Sequence, residues 1–142
     1  MPPIVKEAET LLLKVEQAVS RFPRRYRYQG VGPRLSNHAF RISELANLAW
    51  RKPGRRRAIL QELQAHVDSI RICAQLGSQL RAFNSFGQFE EVARTVDSLG
   101  RQTGGWLHRS NEASHAQNPP PARAAERGQK LSTRAASRGA NR

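Results

Sequence analysis

Between residues 4 and 109 apolar side chains recur every three or four positions, and no stretch alternates apolar with polar at the period of two that a half-buried strand requires. That pattern confines the chain to an all-α fold. Proline and glycine breakers divide it into four helical segments. The first runs from about Ile4 to Arg21, sets Ile4, Ala8, Leu11, Val15, Ala18, Val19 and Phe22 on one face, and stops at Pro23. The second opens after Gly30-Val31-Gly32, where Pro33 suits a first turn because its missing N–H needs no partner there. It buries Leu35, Ile42, Leu45, Ala46 and Ala49 and ends at Pro53-Gly54. The third, roughly Arg55 to Leu80, places Ile59, Leu60, Leu63, Val67, Ile70 and Ala74 together. A polar connection from Ala82 to Gly87 leads to the fourth, about Phe89 to Arg109, with Phe89, Val92, Ala93, Val96, Leu99, Gly100 and Leu107 on its face. Connections this short force neighbours to run antiparallel, so the expected architecture is an antiparallel up-and-down four-helix bundle.

At 142 residues the chain has room for one such domain. From residue 111 onward the composition turns to Asn118-Pro119-Pro120-Pro121 and then Ala, Arg, Gly and Ser, with Leu131 the single large apolar residue. Too little apolar surface is there to offset the entropy of ordering, so 111–142 is expected to be a disordered basic tail behind a 1–110 bundle. Lys and Arg number 24 against 11 Asp and Glu, a formal net charge of +13. Eighteen of those cations and nine of those acids fall in 1–110, so the surplus belongs to the bundle as well as to the tail. Such a balance points to a polyanionic partner. The single cysteine, Cys73, excludes an intrachain disulfide, and neither a signal peptide nor an 18-residue apolar span is readable. A soluble protein of the cytoplasm, with no membrane partner, is the expectation.

Two further features stand out on the third segment. At 100° per residue, Ile72, Cys73, Leu76 and Leu80 form a second apolar stripe well away from the first. A helix apolar on two sides is normally buried on both, which suggests a subunit interface at Ile72, Leu76 and Leu80, the alternative being a bundle that wraps this helix more deeply. Chemistry is harder to find. Glu62 and His66 are spaced i, i+4 and occur once, which suits a surface hydrogen bond and not the repeated Glu-x-x-His of a di-iron bundle. One Cys and scattered His give no zinc-finger spacing. Cys73 sits among Ile70, Ile72 and Ala74, where a thiol is expected to act as a small buried hydrophobe. Gly30-Val31-Gly32 follows no strand and reads as a helix entry. No catalytic residue, cofactor or metal site is expected.

Cations cluster instead. Arg51-Lys52-Pro53-Gly54-Arg55-Arg56-Arg57 occupies the turn between the second and third segments. Arg21, Arg24, Arg25 and Arg27, with Tyr26 and Tyr28 interleaved, follow the first segment at the opposite end. Guanidinium groups pair with phosphates and tyrosine rings stack on unpaired bases, a combination that favours RNA or single strands. Arg24, Arg25, Arg27, Arg51, Lys52, Arg55, Arg56 and Arg57 are therefore the candidate nucleic-acid-binding residues.

Several motifs carry a family resemblance: Phe22-Pro23-Arg24, Leu76-Gly77, Gln88-Phe89-Glu90, and Asp97-Ser98-Leu99-Gly100-Arg101-Gln102-Thr103-Gly104-Gly105-Trp106-Leu107. Over residues 5–109 they resemble the accessory variability determinant (Avd) proteins of diversity-generating retroelements, within the wider group of four-helix-bundle proteins encoded in ribosomal RNA intervening sequences. Thr103 stands where that family usually has an aliphatic residue, and 81–87 lacks its common Ser-Pro helix start. The resemblance implies a non-catalytic, basic homopentamer, encoded by a bacterium or its phage. It would bind a reverse transcriptase and the template-repeat RNA or other nucleic acid, and would support mutagenic cDNA synthesis and retrohoming. The alternative is a stand-alone RNA-associated bundle of the intervening-sequence type. Gly104 and Gly105 are expected to permit close helix approach while Trp106 packs on a neighbour, and Phe40, on the polar face of the second segment, is a candidate partner contact.

Overall fold

The computed structural model describes residues 1–117, with side chains to Asn111; the predicted tail beyond 117 lies outside the described residues. Residues 1–110 form one compact unit, and among the described residues all regular structure is helical. The helices are α1 (Pro3–Ser20), a single turn α2 (Arg24–Arg27), α3 (Val31–Arg51), α4 (Arg56–Gln79) and α5 (Phe86–Gln117). A 3-10 turn, Pro53–Arg55, joins α3 to α4. The four long helices pack around one apolar core, whose largest fully buried side chains include Phe22, Leu11, Leu35, Ile42, Leu45, Leu60, Leu63, Ile70 and Leu99. Every residue assigned to the faces of the first three segments is buried there. Ala93 and Leu107 of the fourth are only partly buried against the core.

Cross-helix pairs show the directions. His38 and Arg41 of α3 meet His66 and Glu62 of α4, so numbers rise along one helix as they fall along the other. Arg71 of α4 reaches Asp97 of α5, and Gly77 lies against Phe83 just before α5. Lys14 of α1 donates to Thr95 Oγ1 of α5 at 3.1 Å, and Phe22 just past α1 meets Phe83 just before α5. These three neighbouring pairs are antiparallel.

Helix ends differ from the expected ones for local reasons. Pro23 holds Phe22 out of α1 and accepts hydrogen bonds from Tyr26 and Arg27, which closes α2; four residues are too few to show a periodicity in sequence. Gly30 takes φ +75° at the entry to α3, so that helix begins at Val31 and Pro33 falls two positions deeper in the first turn. Helix α5 begins at Phe86, three residues earlier than expected. A cap explains it: Ser85 Oγ accepts the Gln88 N–H at 3.1 Å while Gln88 Oε1 accepts the Asn84 N–H at 3.0 Å. The same helix runs on through 111–117, where a disordered tail had been expected to begin.

The end of α4 is unusual. Ala82 N–H bonds to Gly77 C=O and Arg81 N–H to Ser78 C=O, the paired bonds of a Schellman cap. The residue in the left-handed position is Arg81, φ +60°, where glycine is the ordinary choice. Holding an arginine there costs on the order of 1 kcal/mol.

Two residues of the Gly-Arg-x-x-Gly-Gly-Trp-Leu ending behave differently from the sequence expectation. A Cβ on Gly104 would meet nothing within 4 Å, and one on Gly105 only the end of the Arg109 side chain, so neither serves a close helix approach within the chain. Thr103 is fully buried and its hydroxyl has no hydrogen-bond partner among the described residues. An unpaired buried hydroxyl costs about 1–3 kcal/mol, which an aliphatic side chain of the same shape avoids. Thr103→Val is therefore expected to raise stability by about 1 kcal/mol, read as a higher urea midpoint at unchanged slope.

Candidate nucleic-acid interface

The described residues hold five ion pairs, formed by Arg41 with Glu44 and Glu62, Arg71 with Asp68 and Asp97, and Arg94 with Glu90. All lie on the flanks of the long helices. None uses a cation of either cluster, so the positive charge at the two ends is left without carboxylate partners among the described residues.

At the α3–α4 turn, Lys52, Arg55 and Arg57 are exposed. Arg51 stands over Trp50, 6.0 Å from the ring centroid. Arg56 is different. Its Nε donates to Ala49 C=O at 2.8 Å and its Nη2 to Trp50 C=O at 3.2 Å, while the guanidinium lies 5.0 Å from the Trp106 ring centroid. It satisfies carbonyls that the end of α3 leaves open and ties that end to α5. Arg56→Ala is expected to cost about 2 kcal/mol of unfolding free energy, seen by urea titration, whereas Arg57→Ala costs under about 0.5 kcal/mol.

The opposite end repeats the arrangement. Arg27 donates from Nε and Nη2 to Phe22 C=O at 3.3 and 3.0 Å, tying α2 back to the residue that follows the end of α1. Arg21, Arg24 and Arg25 stay exposed. Tyr26 is half-buried against the core with Arg25 5.5 Å from its ring centroid, so it is a packing residue first. Tyr28 is 68% exposed, with Arg27 5.7 Å from its ring. Each cluster thus devotes one arginine to a helix terminus and presents the others to solvent. Nothing in the sequence distinguishes Arg56 from Arg57 or Arg27 from Arg25, because the difference lies in which guanidinium reaches a free carbonyl. Trp50, Trp106 and Arg81 were not read as parts of these ends. The signal for Arg81 was a non-glycine residue just past a helix end.

Ile72, Leu76 and Leu80 are 61, 48 and 47% exposed on one side of α4, and Phe40 is exposed on α3. Cys73 beside the stripe is half-buried, not wholly enclosed, and burial pushes its thiol pKa up. Glu62 pairs with Arg41 across the α3–α4 seam at 3.0 Å, and His66 meets His38 Nδ1 to Nδ1 at 3.0 Å. The expected Glu62–His66 bond gives way to these two. In such a pair one ring donates and the other accepts. Burial first, then the charges of His66 and Arg34, hold His38 below the usual histidine range. Among the described residues no three metal-ligating side chains converge, and no helix is long and apolar enough to cross a membrane.

A scan against protein-family models finds no match to this chain, and a search of curated proteins finds none.

Proposed function

We propose that this chain is a non-catalytic accessory protein that holds RNA for a reverse transcriptase, in the manner of the Avd proteins its motifs resemble. The observation that carries this reading is the segregation of charge. Acids pair with Arg41, Arg71 and Arg94 along the helix flanks, while both ends keep clusters of exposed cations with no carboxylate partner among the described residues. Like charges crowded at a turn repel one another, and a bound polyanion relieves that repulsion. The four long helices act in this reading as an up-and-down bundle that displays the two basic ends. Phosphates contact Arg24, Arg25, Arg51, Lys52, Arg55 and Arg57, and Arg27 and Arg56 hold the turns in place.

The exposed row Ile72, Leu76, Leu80 is an apolar patch of the kind that marks a contact surface. It is assigned here to the interface between copies, with a pentamer as the assembly that the resemblance implies. Phe40 is assigned to partner contact. Copurification tests the polymerase part: the full chain, expressed with the reverse transcriptase and template-repeat RNA of its own locus, is expected to retain both. Retention of RNA alone would instead support the stand-alone RNA-associated bundle. Failure to bind RNA at moderate ionic strength would remove both readings.

A further inference from the structure

We propose that the cleft between the end of α4 and the start of α5 receives one unpaired nucleotide, its base stacked on Phe86 and its phosphate on Arg81. The inference rests on the nucleic-acid reading above and adds to it a specific ligand chemistry at residues outside both sequence clusters. The cleft encloses about 200 Å³ and is lined by Ser78, Arg81, Phe83, Ser85, Phe86 and Phe89. No acidic side chain lines it.

Its aromatic wall is anchored. Phe83 stands edge-on to Phe22, 5.0 Å between centroids at 78°, and edge-on to Phe89 at 5.5 Å and 65°. Phe22 and Phe89 are buried, so this wall is set by the core. Phe86 continues it, 5.8 Å from Phe89, yet remains 68% exposed on the first turn of α5. A large ring in contact with that wall and open to solvent offers a stacking surface.

Arg81 supplies the second, independent observation. It holds the left-handed conformation that favours glycine, and its side chain is exposed with no hydrogen bond or ion pair among the described residues. The Schellman bonds of Arg81 and Ala82 hold the backbone there and would form equally with glycine, so the fold gains nothing from the guanidinium, which is left open to a phosphate. Beyond Ser85 lies a second cleft, of about 370 Å³, lined by Lys14 and Arg21 together with one acid, Glu91, so of its two cations the exposed Arg21 is the one placed for the next phosphate of a strand leaving Arg81. Bases paired in a duplex keep their faces stacked on one another, so the arrangement selects an unpaired base.

The test measures binding of the full chain to a short single-stranded oligonucleotide, to the same strand lacking its bases, and to a duplex. The wild-type chain is expected to prefer the base-bearing strand over the abasic one by about ten-fold. Phe86→Ala, at an exposed position, should erase that preference and leave duplex binding unchanged. Arg81→Gly should weaken both single strands a few-fold and flatten their salt dependence by about 0.7 in the log-log slope. Its melting temperature should be equal or higher, because glycine relieves the left-handed strain, so lost binding cannot come from lost folding. A wild-type preference near one, or a preference that survives Phe86→Ala, overturns the stacking cleft even where the chain binds all three ligands. Binding to none of them overturns the nucleic-acid reading and the cleft together. Variants that lose only a copurifying protein overturn the cleft as a nucleotide site.

Discussion

Replacing Lys52, Arg55 and Arg57 together by alanine is expected to lower affinity for single-stranded RNA about a hundred-fold near 0.1 M salt. Each phosphate contact on a single strand contributes roughly 0.7 to the dependence of log affinity on log salt. Three lost contacts remove about two decades at that ionic strength and flatten the slope by about two. The three side chains are exposed and have no hydrogen bond or ion pair among the described residues, so the fold should not suffer. Relief of like-charge repulsion at the turn predicts a melting temperature equal to or above that of the wild type. Filter binding across a salt series checks the first claim and thermal unfolding the second. An unchanged slope would take this turn out of the interface. The triple change spares Arg56, whose removal would mix a folding defect into the binding measurement.

Gly32→Ala is expected to be the most damaging single substitution near the second end, costing about 3 kcal/mol or more. A Cβ at Gly32 would overlap the Tyr26 carbonyl oxygen and crowd that of Arg27, both backbone atoms of α2 that cannot swing aside. The α2 turn is thus seated directly on the first turn of α3. Gly30→Ala makes the comparison. There a Cβ meets nothing within 4 Å, but φ +75° with ψ −127° lies outside the left-handed helical well in a region open in practice to glycine alone, so the cost is conformational, about 2 kcal/mol. Urea unfolding of the two variants separates a steric requirement from a conformational one. Equal costs would mean that α2 is free to lift away from α3.

The core was legible because burial on a helix leaves a mark at every third or fourth residue. The faces containing Ile4 to Phe22, Leu35 to Ala49 and Ile59 to Ala74 are buried as read. Where the structure departs, the deciding interaction is either very local or non-local. The α5 start turned on the Ser85 and Gln88 cap, a pattern present in the sequence and overlooked within a polar connection. The roles of Arg27 and Arg56 depended on which carbonyl lies within reach after folding, which no spacing encodes. Gly104 was expected to serve close packing, yet its surroundings inside the chain are open. Thr103 shows the converse. Its departure from an aliphatic pattern was visible in the sequence, and its physical trace is a buried hydroxyl without a partner.

Helix α4 spans 24 residues and separates the Lys52–Arg57 turn from the Arg81 end. At 1.5 Å per residue that is about 36 Å, close to the length of one full turn of duplex DNA. The molecule is in this respect a ruler. A ligand shorter than the rod engages one pole at a time, while a longer one bridges both and gains the avidity of two tethered contacts. Length of the polyanion, as much as its sequence, then sets how firmly it is gripped.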